Sequence, residues 1–185
     1  MPELEIRRPR PDDIKELNQF FKMVLTDTFA KEGLAHMTQE IEKEINDKKN
    51  ILNEDIESNG EKRYFLIALD NGKIIGTIEY GPTGRLIIEC TGGELEGVVE
   101  VGTVFVHPDY QRQGVGTLML NMIYLTFINR NIKEFCLDSG YTNAQRIWKK
   151  KFGEPGYIVK DYWGKGYDHM VWRKHTGGLP IVFRI

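Results

Sequence analysis

Six consecutive residues, Gln111-Arg112-Gln113-Gly114-Val115-Gly116, place two glycines, a cation and two amides where an apolar strand-like run gives way to an apolar helix-like run. The first turn of a helix carries N–H groups without intrahelical acceptors, together with the positive end of the peptide dipoles, so such a junction stabilises a phosphate or diphosphate. Gly114 and Gly116 remove side chains that would block a close approach, Thr117 offers a hydroxyl to the same oxygens, and Arg112 adds charge. An ordinary helix start is the plain alternative. Two familiar nucleotide loops fit poorly: the third glycine of a dinucleotide fingerprint falls on Met119, and the Gly-Lys-Ser/Thr ending of a P-loop is absent. Glu100 is the second chemically unusual residue. It interrupts the apolar run 98–106 and shares a face with Gly102 and Val104 by two-residue alternation. Cys136 is the third. Flanked by Phe135 and Leu137, with no histidine close in sequence to activate it, it reads as a small buried side chain rather than a nucleophile. His36, His107, His169 and His175 have no ligand-set spacing, and no metal is expected.

The elements that position these residues follow from periodicity and punctuation. A short strand is expected over 4–7. Pro9, Pro11 and the acidic pair Asp12-Asp13 then open a helix whose apolar face holds Ile14, Leu17, Phe21, Val24 and Phe29 and which Gly33 stops. A second helix from about residue 38 buries Ile41, Ile45, Leu52 and Ile56 and turns a run of charges, Lys48 among them, to solvent. Strands over 64–69 and 73–80 flank Asp70-Asn71-Gly72, a hairpin signal because these residues tolerate positive φ. A short strand over 86–90 and a glycine-rich turn over 91–97 lead into the strand 98–106. A core helix over 117 to about 130, a strand over 134–138, a helix over 144–152 and a closing hairpin, 157–163 with 169–174, complete the chain, leaving a tail at 175–185.

Val104-Phe105-Val106-His107-Pro108-Asp109-Tyr110, followed by Gln-x-x-Gly-x-Gly, resembles the central motif of the GNAT acetyltransferases, and the element order matches that family over roughly residues 6–174. The resemblance implies an α+β fold with about four helices, whose mixed, largely antiparallel central sheet is splayed between its fourth and fifth strands. It implies one domain over 1–174, with acetyl-CoA as cosubstrate. By carry-over, the stretch Val104, Phe105, Val106 holds the pantetheine through its backbone, and the amides of Gln111, Arg112, Gln113, Gly114, Val115, Gly116 and Thr117 hold the pyrophosphate. By the same carry-over, Asn143, just before the helix over 144–152, and Trp148 on it are candidate cofactor-binding residues, Trp148 with a packing role as its alternative.

The implied reaction is direct transfer of an acetyl group to a primary amine. A lysine-like amine of pKa about 10.4 is only about one part in 10³ neutral at pH 7, so a general base helps greatly. Glu100 is the candidate base, in a position that resembles the glutamate of histone-modifying members; a salt-bridged or rim glutamate is its bland reading. The family's usual acid is a tyrosine four residues beyond an alanine, and counting from Ala144 lands on Trp148, which cannot donate that proton. Tyr141, Lys149, Tyr157 and water remain open, Tyr141 being the first choice. With the usual acid missing, an acetyl-CoA sensor or interaction domain is the alternative function, and a longer acyl group is a third. The acceptor stays open between a small amine and a peptide or protein.

The whole chain is consistent with that picture. At 185 residues with 41% hydrophobic content it is of single-domain size. The balance of 25 Lys plus Arg against 27 Asp plus Glu lacks the basic excess of a nucleic-acid binder. The stretch 1–11 is charged rather than a signal region, no apolar run is long enough to span a membrane, and two isolated cysteines suggest neither disulfides nor zinc. A cytoplasmic protein with no membrane partner is expected, with a homodimer left open.

Overall fold

A computed structural model provides the structure, which describes residues 4–183; the first three residues of the charged N-terminal stretch and the last two residues of the tail lie outside the described residues. The fold is mixed α+β. Seven strands follow the order β1-β2-β3-β4-β5-β7-β6: β1 (Leu4–Arg7), β2 (Tyr64–Asp70), β3 (Lys73–Pro82), β4 (Val99–Val106), β5 (Glu134–Ser139), β6 (Tyr157–Val159) and β7 (His169–His175). The β1/β2, β2/β3, β5/β7 and β6/β7 pairs are antiparallel, and β4/β5 is parallel. The helices are α1 (Ile14–Lys31), α2 (Thr38–Glu57), α3 (Arg85–Cys90), α4 (Val115–Asn129) and α5 (Thr142–Phe152). No helix of the described residues is long and apolar enough to cross a membrane.

The residues form two compact units. One contains the chain through Tyr80, Thr103–Leu125 and the residues from Ile181 on. Its core is the apolar face of α1, Leu17, Phe20, Phe21 and Val24, with Leu52 of α2, packed on Phe65, Ile67, Leu69 and Ile74 of the first hairpin. The periodicity that suggested two amphipathic helices is therefore the periodicity of burial. Asn71 (φ 48°) and Gly72 (φ 81°) give the β2–β3 turn its two left-handed residues, the geometry that matches strand twist. Lys48 departs from the solvated face expected of it: its Nζ lies 5.9 Å from the centre of the Phe105 ring.

The second unit contains Gly81–Gly102 and Thr126–Pro180. Ile87 of α3, Leu95, Cys136 and Val171 make a small core there, with Cys90, Val98 and Tyr157 packed against it. The parallel register of β4 and β5 runs over Val99↔Phe135 and Glu100↔Cys136. Leu137 and Asp138 continue β5 in pairs with β7, and Val101 and Gly102 continue β4.

Three expectations need correction. Residues 86–90 are helical, part of α3, rather than a strand, which raises the helix count to five. A short apolar run cannot reveal its period, and the Thr91 hydroxyl donating to the Ile87 carbonyl (2.8 Å) closes that helix. Helix α4 begins at Val115, two residues earlier than expected, which places Gly116 inside its first turn. The last hairpin is shorter than expected on the β6 side. Residues 160–168 are instead a turn tied by the Asp161 carboxylate to Gly166 N–H and by Asp168 to Lys160 and to Asp161 N–H.

Candidate active site

The residues of the candidate anion-binding hexapeptide lie together in the first unit, at the point where β4 hands over to α4. A turn of 3-10 helix, Pro108–Tyr110, follows β4, and Arg112 (φ 63°) and Gly114 (φ 91°) then take the left-handed conformation. Gly114 answers to that conformation and not to crowding, because a Cβ there would meet nothing within 4 Å. Arg112 adopts it at a cost of roughly 1–2 kcal/mol. The hydrogen-bond ladder of α4 opens with Leu118 N–H donating to the Gly114 carbonyl (2.9 Å), so the amides of Val115 and Gly116 precede it at the positive end of the dipole. Gln111, Arg112, Gln113, Gly114 and Thr117 are exposed, Gly116 is half-buried and Val115 is buried, so the loop leading into α4 faces solvent.

The loop's two glutamines brace it. Gln111 Nε2 donates to the Val106 carbonyl (3.2 Å) and Gln113 Nε2 to the Asp109 carbonyl (2.7 Å), while Tyr110 Oη pins the loop to the first hairpin through Asp70 (2.9 Å). Lys31 of α1, whose Nζ lies 3.3 Å from Gln111 Oε1 and 2.6 Å from the Asp27 carboxylate, brings a second cation, already paired, to the loop. Its distance in sequence hid it. The donor set, several backbone amides at one helix start with Arg112 and Lys31 beside them, fits a diphosphate.

Behind the loop, β4 is bent. Thr103, buried at 4% exposure, has φ 49°, a conformation that a β-branched side chain rarely adopts. Its hydroxyl donates to Glu79 Oε1 (3.2 Å), and its carbonyl accepts from the Thr77 hydroxyl (2.9 Å). Glu79 is 2% exposed and also accepts from Arg63 Nη1 (2.9 Å). Burial holds the Glu79 carboxyl above its ordinary range, against the opposing pull of Arg63. This cluster was not anticipated, although the rule that singled out Glu100, a lone carboxylate in an apolar run, applies equally to Glu79. Val104 and Val106 follow the bend, whereas Phe105 packs against the unit's core and edge-on against Phe21 at 6.3 Å, which leaves its backbone for any role toward a ligand.

In the second unit, Glu100 Oε2 accepts from Gly84 N–H (2.6 Å), the residue at which α3 begins, and Glu100 sits opposite Cys136 across the parallel register. The carboxylate is thus held in one orientation while remaining half-exposed. Cys136 is fully buried; burial first and the Glu100 carboxylate second push its thiol up to about 12, so the thiolate a nucleophile needs is suppressed. Tyr141 is half-buried at the start of α5, its N–H and carbonyl occupied by Ser139 Oγ and Gln145 N–H. Asn143 is exposed on the same first turn. Trp148 is 8% exposed and stacked on Phe152 (5.8 Å, 18°), a packing role that accounts for its side chain. One cluster was missed altogether: His169, 2% exposed, bonds Asp138 through Nε2 (2.9 Å) and accepts from Trp163 Nε1 through Nδ1 (3.1 Å). Thirty-one residues separate its two acidic and basic members, so spacing carried no signal for it.

Comparison with known proteins gives the family and the fold. The sequence profile of the acetyltransferase (GNAT) family matches residues 26–153, well over half of the chain, and the chain belongs to that family. No curated protein matches it in sequence. Among solved structures, it is similar to a protein assigned to the GNAT acetyltransferases from Desulfovibrio desulfuricans (16% identity, 95% of this chain and 100% of that one, TM-score 0.72). It is also similar to the PaiA N-acetyltransferase of Thermoplasma acidophilum in complex with coenzyme A (18%, 94% and 99%, 0.67). A third is the ribosomal-protein-alanine N-acetyltransferase of Brucella melitensis (20%, 92% and 99%, 0.63). At these identities the likeness is one of fold.

Proposed function

We propose that this chain moves the acetyl group of acetyl-CoA to the nitrogen of a primary amine in one direct step. The observation that carries the reading is the cluster of amides in the solvent-facing loop at the start of α4, opened by left-handed Arg112 and Gly114 and flanked by two cations. Pyrophosphate is the ligand such a cluster stabilises, and a coenzyme A complex in one structural relative supports the assignment. The acceptor amine gives a proton to Glu100, its nitrogen attacks the thioester carbonyl, and the C–S bond breaks to release CoA as a thiol after protonation. Tyr141 is the candidate for that last proton. The buried, high-pKa thiol of Cys136 supports direct transfer over an acetyl-enzyme. The reading takes residues 1–174 as the catalytic domain, in a cytoplasmic protein, with a homodimer open.

The test combines calorimetric titration with acetyl-CoA and a free-thiol assay across an amine panel, for wild type and Glu100→Gln. Glutamine still accepts from Gly84 N–H, so α3 keeps its start and the substitution isolates proton transfer. Wild type should bind and release thiol with some amine. Glu100→Gln should bind equally well while turnover falls by roughly 10²–10⁴. Unchanged turnover removes Glu100 from the mechanism, binding without release for every amine favours the sensor, and no binding overturns the reading.

A further inference from the structure

The strain at Thr103 has no counterpart in the rest of the described strands. Asn59, Asn71, Arg112, Asn131 and Asp161, the other left-handed residues with side chains among those described, stand in turns or loops, and three of them are asparagines, which tolerate that conformation. Thr103 is in the middle of β4, buried, β-branched and directly before the three residues whose backbone is assigned to the cofactor's amide arm. A backbone conformation that is unfavourable in itself persists only where its surroundings over-determine it. Here the surroundings are specific: two of the polar groups of Thr103 are bonded to β3, the hydroxyl to Glu79 and the carbonyl to Thr77, and Glu79 is in turn fixed by Arg63, which also holds Glu54 (3.1 Å). Downstream, β4 is pinned again where His107 N–H donates to the Ile75 carbonyl (2.8 Å). The segment Val104–Phe105–Val106 is therefore stretched between two anchors on one strand, and the first anchor sets its direction.

We propose that Glu79 and Thr77 are positioning residues for cofactor binding: they clamp Thr103 in its left-handed conformation and so aim the backbone of Val104 and Val106 at the amides of the pantetheine arm. This rests on the acetyl-CoA reading above. The clamp uses directional hydrogen bonds, an acceptor on Glu79 and a donor on Thr77, where an apolar contact would have filled the same space without orienting Thr103. Glycine at position 103 adopts the same φ without help, which makes it the diagnostic substitution.

The experiment measures the Kd of CoA by calorimetry for proteins whose thermal melts show them folded: wild type, Thr77→Val, Glu79→Leu, Thr103→Val and Thr103→Gly, and Thr77→Val and Glu79→Leu each combined with Thr103→Gly. The expected result is a Kd raised about tenfold or more in Thr77→Val, Glu79→Leu and Thr103→Val. Thr103→Gly should stay within about threefold of wild type, and adding either partner substitution to it should change little further, a non-additivity that marks a shared function. A role confined to stability would lower the melting temperature and leave the Kd of the folded protein unmoved. Should Glu79→Leu fail to fold, Thr77→Val decides the same question, since it removes one hydroxyl at constant shape. The clamp is overturned if Thr77→Val and Thr103→Val bind as wild type does, or if Thr103→Gly loses as much affinity as Thr103→Val. If wild type itself does not bind CoA, the acetyl-CoA reading fails first and the clamp with it, an outcome distinct from the other two.

Discussion

Among single residues, the loop's chemistry turns on separating backbone strain from charge. Arg112 occupies a conformation that glycine takes freely and arginine does not, so Arg112→Gly should leave stability unchanged or raise it by up to about 1 kcal/mol while removing one cation from the proposed diphosphate site. If the side chain serves the ligand, CoA affinity in that variant falls several-fold and its dependence on salt flattens, because a screened charge has been taken away. Calorimetry at two ionic strengths with a thermal melt reads both effects; unchanged affinity with raised stability would leave Arg112 as an accident of the turn. Gln111 and Gln113 teach the complementary lesson. Their side chains are engaged by the Val106 and Asp109 carbonyls, so the loop uses them to hold its own shape.

Among the elements, β3 carries more of the site than its apolar sequence suggests. Gly76 lies where a Cβ would come within 2.9 Å of Met119 Sδ, 3.2 Å of Val115 Cγ1 and 3.3 Å of the Phe105 carbonyl oxygen. The first turns of α4 and the strand β4 both close on β3 at this glycine, and the missing side chain is what lets them. Gly76→Ala should therefore destabilise the protein by about 1–3 kcal/mol, as overpacking does, since Met119 can yield but the Phe105 backbone and Val115 have less room. It should also weaken CoA binding in the molecules that remain folded, because the displaced elements are the two that meet at the loop. A melt and a titration of the same sample test this, and a variant as stable as wild type would show that the packing has slack. Helix α3 shows the reverse dependence: Glu100, the candidate base, bonds the residue where it begins, so an element of six residues and a catalytic candidate share one carboxylate.

Across the whole molecule, buried and paired carboxylates give stability two opposing dependences on pH. Asp13 accepts two hydrogen bonds from Arg7 (2.6 and 2.9 Å) and one from Arg10 N–H, and these, Arg7 first, hold its carboxyl below its ordinary value of 3.8. A lowered native pKa stabilises the folded state above the ordinary value and loses that contribution as pH falls through the native one. Asp13→Asn should thus melt earlier than wild type at pH 7, and the gap should close as pH drops below 3.8 toward the native value. Asp55 and Glu79 act in the other sense. Burial raises both, so stability falls as pH climbs from their ordinary values through their native ones. Melting temperatures from pH 2 to 8 for wild type and Asp13→Asn check the sign; a gap that persists at the acid end would mean that the amide fails there for reasons of shape rather than charge. What depends on neighbours along the chain could be read from the amino acids alone: amphipathic α1 and α2, the Asn71-Gly72 turn, and the glycine-bearing junction at Gly114 where the diphosphate site is proposed. Periodicity and turn chemistry are local, and so they were legible. Long-range packing settled the rest, namely that residues 86–90 form a helix packed through Ile87 against Cys136 and Val171, that Lys31 joins the loop, that Glu79 and Thr77 grip Thr103, and that His169 finds Asp138. Each of these rests on a contact between residues far apart in sequence, or on a backbone angle held by such a contact, and no spacing rule along the chain encodes either.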